Sequence, residues 1–151
     1  MAQSLAAIYL YLVFSTKDRI SYLLDAGMRS EMHSPLAGAS RGGGCQTPLV
    51  GRVEEHVHVL GRLGRSTTVA AWVKEAKRVS TTWAKTRDRQ LRSFAWQARY
   101  GSFSVSPSQV DAVRAYIDGQ EAHHTNMSFQ DEFRALVCRS GEALDERYVW
   151  D

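Results

Sequence analysis

The sequence predicts an α+β fold, a ferredoxin-like antiparallel sheet with helices packed on it. Two observations carry that prediction. Short apolar strand-like segments interleave with helical periodicities in the order β-α-β-β-α-β-α, an order that suits an antiparallel sheet covered by helices. The 151 residues are also of single-domain size, at roughly 100–200 residues per domain, so residues 1–151 are expected to fold as one unit. With 44% hydrophobic and 23% charged residues, the chain is neither disordered nor collagen-like nor a coiled coil. It contains no internal repeat.

The elements follow in order. In Ala7 to Ser15, Ile8, Leu10, Leu12 and Phe14 alternate with Tyr9, Tyr11 and Val13. Both faces are apolar, so this strand should be central or covered on both sides. Leu5 to Phe14 is the longest apolar run, ten residues against the ~20 of a membrane span. It lacks the basic start and small-residue cleavage site of a signal peptide, and the expectation is a cytoplasmic protein. Tyr22 to Ala37 reads as a weak helix interrupted by Gly27 and Pro35 and ending near Gly38, with Ser40 to Gly44 as a flexible turn. Thr47 to Leu60 reads as one or two strands turning near Gly51.

Ser66-Thr67-Thr68 supplies N-caps for the clearest helix. There Val69, Trp72, Val73, Ala76, Val79 and Trp83 form one apolar stripe, leaving Lys74, Lys77, Arg78 and Lys85 to other faces. Trp96 to Val105 reads as extended structure. Ser106-Pro107-Ser108-Gln109 combines a capping box with Pro at the first helical position. It opens a helix from Pro107 to about His123, with Val110, Val113 and Ile117 facing inward. Phe129 to Val137 forms a further helix.

Charge is unevenly placed. Residues 61–100 carry a net +8 and residues 101–151 a net −5, an asymmetry that fits a polyanion-binding surface. A solvated basic helix face is the alternative. Cys45 and Cys138 stand far apart with no C-x-x-C or Cys/His cluster, which excludes a zinc-finger framework and suits a reducing compartment.

His56-Val57-His58 lies late in the second strand region. Strand side chains alternate, so both imidazoles share one face while Val57 and Val59 enter the other. Two such histidines are half a metal site, and an ion needs further ligands; an accidental tripeptide is the alternative. On the later helix, Tyr116 and Gln120 stand at i, i+4 and share a face. That face is displaced from the Val110/Val113/Ile117 stripe, placing Tyr116 at the edge of the core, where a packed ring with a wet hydroxyl is the alternative to chemistry. His123 and His124 are extra ligands or polar residues of a helix end.

Together these residues resemble the HUH endonucleases, and more closely the single-tyrosine transposases of bacterial and archaeal insertion sequences that move as single-stranded DNA. The resemblance runs through Val13-Phe14-Ser15-Thr16-Lys17 with Arg19, Glu55 to Leu60, Val73-Lys74-Glu75, Trp96-Gln97 and Tyr100 to Ser106. It continues in Tyr116-Ile117-Asp118-Gly119-Gln120, His123-His124, Phe129, Glu132-Phe133 and Asp145 to Tyr148. Ser34-Pro35 and the Gly42–Gly44 run depart from the family pattern. The resemblance implies that His56 and His58 are metal ligands with Gln120 as the third, and that Tyr116 is the nucleophile. It further implies Mg²⁺ or Mn²⁺ as cofactor, cleavage of single-stranded DNA at hairpin ends through a 5′-phosphotyrosine, and a homodimer. In that family the two subunits can share active sites, with Gly119 available as a hinge. Lys74, Lys77, Arg78 and Lys85 would contact phosphates. A domesticated relative acting on chromosomal repeat hairpins and a non-catalytic single-strand-binding module are the alternatives.

Overall fold

In the computed structural model, which describes residues 5–52, 55–119, 128–143 and 146, four strands form one sheet. They are β1 (Tyr9–Ser15), β2 (Gln46–Arg52), β3 (His56–Arg62) and β4 (Gly101–Val105), in the order β2-β3-β1-β4 with every neighbouring pair antiparallel. The helices α1 (Ala26–Gly42) and α2 (Val69–Arg87) make the two crossovers of a βαββαβ unit, which is the ferredoxin-like arrangement. α3 (Val110–Asp118) and α4 (Phe129–Arg139) follow in the chain and pack on the opposite face, through Ile117, Phe133 and Val137. β1 is therefore internal and covered on both sides, as its two apolar faces require.

The α1/α2 face holds the main core. Leu10, Leu12, Phe14, Val57 and Val59 pack there against Met28, Met32, Leu36, Trp72, Val73 and Ala76. A fully buried aromatic removes about 150–250 Å² from water, about 4–6 kcal/mol at roughly 25 cal per Å². α1 starts at Ala26, where the Asp25 carboxylate accepts from the Gly27 and Met28 amides at 2.8 and 3.3 Å. It runs through Pro35 and Gly38 and ends only at Gly42, longer than the local sequence suggests. Met28, Met32, Leu36 and Ser40 recur at one face and are all buried, so tertiary packing overrides the ~3 kcal/mol that an interior proline costs. Ser40 is therefore helical, and the chain turns instead at Gly44, whose φ of 85° closes the helix end.

Thr47 to Leu60 resolves into two strands, with the break after Arg52. Gly51 is inside β2, opposite His58, and not at the turn. α2 is capped as expected, Thr68 Oγ1 accepting from the Ala71 amide at 3.1 Å, but its stripe is rotated from the expected one. Ser80 and Ala84 are buried, while Val79 and Trp83 are half-buried. Ser80 tolerates burial because its hydroxyl donates to the Ala76 carbonyl at 2.6 Å and accepts from Trp96 Nε1 at 2.9 Å. Ser40 does the same between the Leu36 carbonyl and Trp72 Nε1, both at 2.8 Å. The expected capping box before α3 is absent. Ser106 makes no side-chain cap, and Pro107–Gln109 is a 3₁₀ turn leading into the helix. Gln120, His123 and His124 lie outside the described residues. Among the described residues, no helix is long and apolar enough to cross a membrane.

Candidate metal and nucleophile centre

Period-two alternation sends Val57 and Val59 into the α1/α2 core and His56 and His58 to the other face. Both histidines are wholly buried. In register, His56 lies opposite Ser15 and His58 opposite Val13. Ser15 is fixed in turn by Gln97, whose Oε1 accepts from the Ser15 amide at 2.7 Å and from its hydroxyl at 3.1 Å.

One row across the sheet reads Gly51, His58, Val13, Gly101. A Cβ on Gly51 would stand 2.5 Å from Ile117 Cγ2 and 3.0 Å from the Ile117 carbonyl oxygen. One on Gly101 would stand 2.7 Å from the Phe133 ring. The two glycines let α3 and α4 close directly onto backbone on either side of His58.

That closure delivers two side chains to the histidines. Glu132, in the first turn of α4, is 2% exposed and sets Oε1 3.1 Å from His58 Nε2 and Oε2 3.8 Å from His56 Nε2. Tyr116, near the end of α3, is half-buried, its ring 6.2 Å from that of His58, and its hydroxyl donates to the Glu132 carboxylate. On the other side of His58, Nδ1 is hydrogen-bonded to Tyr11 Oη. With Nδ1–H as donor, Nε2 keeps the lone pair that metal ligation requires.

The electrostatics follow from this crowding. Burial alone pushes the Glu132 carboxyl up, but the contact and charge of His58, the Tyr116 hydroxyl and the charge of His56 outweigh it and hold it down at about 2. The Tyr116 phenol is pushed well above its ordinary value, first by burial and then by its bond to the Glu132 carboxylate.

The donor set fits a divalent ion. His56, His58 and Glu132 each offer one ligand atom, and these atoms lie within 4.8 Å of one another. His58 Nε2 is buried and makes no hydrogen bond of acceptable geometry, although a carboxylate oxygen faces it. Imidazole nitrogen suits Zn, Fe or Ni, while a carboxylate oxygen brings Mg and Mn within range. Sequence reasoning assigned Glu132 no role, because an acid in a helix first turn ordinarily complements the helix dipole. A readable signal was present: Glu132 falls inside the apolar stripe Phe129, Phe133, Leu136, Val137, where a solvated carboxylate does not belong.

The four basic candidates on α2 differ from one another. Lys74 and Lys85 are exposed. Arg78 is exposed and ion-paired with Glu75 at 2.5 Å. Lys77 turns inward and donates to the Gln97 and Arg99 carbonyls at 2.7 and 2.9 Å. Its ammonium lies 5.1 Å from the centre of the Phe14 ring, and burial lowers its pKa to about 8. Lys77, Arg78, Lys85, Thr81 and Thr82 line a shallow groove beside Ala95 and Trp96.

A family model described as "Transposase IS200 like" matches residues 4–120. No curated protein matches the chain. Among solved structures, a protein assigned as a transposase, from Deinococcus radiodurans R1, superposes with a TM-score of 0.64 at 18% identity, covering 80% of this chain and 95% of its own. A REP-associated tyrosine transposase bound to a REP hairpin superposes with a TM-score of 0.59 at 16% identity, covering 96% of this chain and 93% of its own.

Proposed function

Because this chain belongs to the IS200-like transposase family, we propose that it is a metal-dependent endonuclease and strand transferase that cuts single-stranded DNA through a 5′-phosphotyrosine. The observation that carries this reading is the meeting of Tyr116, on α3, with the His56/His58/Glu132 cluster inside one chain. His56, His58 and Glu132 would hold the ion, with Gln120 a further donor. When bound, a divalent ion neutralises charge on a phosphodiester that otherwise repels nucleophiles.

The chain's own residues do the rest. Glu132 holds the Tyr116 hydroxyl proton, which orients the oxygen lone pairs. Attack by Tyr116 Oη on phosphorus forms one P–O bond as the bond to the 3′-oxygen breaks; the phenol proton is released to solvent and the departing 3′-oxygen takes one up from solvent, leaving a free 3′-OH and a 5′-phosphotyrosine. A new 3′-OH reverses the step on another strand, so cutting and rejoining need no ATP. Lys74, Arg78 and Lys85 would track phosphates. Assembly of Tyr116 and the histidines within one chain supports a site built in each subunit, and a homodimer would hold two DNA ends together. A second reading concerns the target. The structurally similar protein bound to a REP hairpin makes a chromosomal repeat hairpin the alternative to the ends of an insertion sequence.

The test is covalent capture. Labelled single-stranded DNA with a hairpin end plus Mn²⁺ should give a denaturant-resistant adduct joined through a 5′-phosphate. Tyr116→Phe should fold, bind DNA and give none. An adduct that persists in Tyr116→Phe would overturn the assignment, and DNA binding without any adduct in wild type would leave a binding module.

A further inference from the structure

A cleft of about 570 Å³ opens between α3, α4 and β4, and Tyr116 forms part of its wall. Its floor is aromatic, from Tyr11 and Phe103, and its rim is polar, with Gln109, Ser106 and Arg139. Apart from Tyr116, none of these residues takes part in the cutting step described above. We propose that the cleft is a nucleobase subsite, receiving the unpaired base next to the phosphate that Tyr116 attacks. This inference rests on the proposed nicking reaction and names what positions its substrate.

Three features select a nucleobase over other occupants. First, a ligand lying against Tyr116 is within one nucleotide of the attacked phosphorus, so a base in the cleft and a phosphate at the histidines belong to one strand. Second, an apolar floor with a hydrogen-bonding rim matches a nucleobase, which has π-faces and polar edges; an aliphatic chain would leave the Gln109 amide and the serine hydroxyl without purpose. Third, Arg139 brings a cation to a cleft wall whose neighbouring carboxylate, Glu132, is already committed to His58 and Tyr116, which suits the phosphates that flank a base. The size lies within the 300–1,000 Å³ range of pockets that enclose small molecules.

Ala112 provides the test. It is exposed, lines the cleft, and stands one helical turn before Tyr116, so Ala112→Trp fills the cleft while the histidines and Glu132, which are not part of its lining, keep their places. The probe is a short single strand carrying one 2-aminopurine, compared with the same strand made abasic throughout, each titrated against wild type and Ala112→Trp in a Tyr116→Phe background. The base-bearing strand should bind Ala112→Trp about 5- to 150-fold more weakly, the worth of one stacked base, and lose its fluorescence quenching. The abasic strand should bind both proteins equally. Gln109→Ala, a smaller change at the rim that meets the base edge, should weaken the base-bearing strand in the same direction and guards against misfolding of the tryptophan variant. Equal loss on both strands, or none on either, overturns the subsite. Binding is read without cleavage, so the two readings separate. Base discrimination with no covalent adduct in wild type keeps the subsite and removes the nicking reaction; an adduct without discrimination does the reverse.

Discussion

Beneath α1 and α2 the sheet is dry, with Leu10, Leu12, Phe14, Val57 and Val59 meeting methionine, leucine and tryptophan. Beneath α3 and α4, the alternate residues of those same strands include Tyr11, His56 and His58, facing a buried carboxylate and a tyrosine. The apolar clusters on this second side are small and flank the polar centre. Since strand side chains alternate, one pair of neighbouring strands can serve a stabilising layer and a reactive layer at once. The comparison teaches a division of labour: the first layer carries the fold, so the second can tolerate buried polar groups that cost stability.

Substitutions can break or sharpen this contrast. The largest expected effect is in the dry layer. Trp72→Ala should cost about 3–5 kcal/mol in urea unfolding, while the fraction that stays folded binds Mn²⁺ as wild type does. A loss of metal affinity in that folded fraction would mean the layers are not separate. In the polar layer metal affinity should fall. Glu132→Gln preserves shape and removes a charge from a direct ligand, and calorimetric titration should find Mn²⁺ affinity lowered by at least the roughly 10–100-fold that loss of an outer-shell partner brings. Its metal-free unfolding midpoint should fall as well, because the lowered pKa of Glu132 marks contacts with His58 and Tyr116 that favour the folded state; the loss of metal affinity is what sets this layer apart.

A third substitution tests how the polar layer is assembled. Gly51→Ala puts a methyl against Ile117 and should cost about 1–3 kcal/mol, with a disproportionate fall in adduct yield because Tyr116 moves with its neighbour. Cleavage at the wild-type rate would show that α3 need not sit on bare backbone.

The smallest effect is a pH dependence at the edge of the dry layer. Lys77 has its pKa lowered to about 8 by burial, against about 10.4 in an unfolded chain. Between those values the unfolded state binds the proton more tightly, so this group's contribution makes stability rise with pH. Unfolding midpoints at pH about 7.5 and 9.5 should show that rise in wild type and lose it in Lys77→Met.

The dry layer was largely legible in the sequence, because apolar alternation in β1 and the helical spacing of Trp72, Val73 and Ala76 are local patterns. Its errors were also local. Pro35 and Ser40 read as breakers until the partners that reward a longer helix are known, and the α2 stripe reads through Val79 and Trp83 although Ser80, given a donor by Trp96, is the buried one. In the reactive layer, the tripeptide His56-Val57-His58 and Tyr116 could be singled out because each carries unusual chemistry at a short spacing. Glu132 is passed over although it sits in an apolar stripe, since its histidine partners lie more than seventy residues earlier in the chain and only the packing of α4 on the sheet brings it to them. Lys77 illustrates the converse, a charge that spacing assigns to the surface but that backbone carbonyls draw inward.

The absent methyls at Gly51 and Gly101 have a mechanical consequence. A helix resting on side chains can roll over them as they change rotamer, whereas one resting on bare backbone is keyed, like a bolt in a slot. Ile117 is the key of α3, and it immediately follows Tyr116. The tyrosine can swing about its own torsions, and the helix can tilt about its seat, but translation along the sheet is blocked. The proposed reaction, run forward on one strand and backward on another, would need its attacking oxygen to return to one place. A keyed seat gives it that return address.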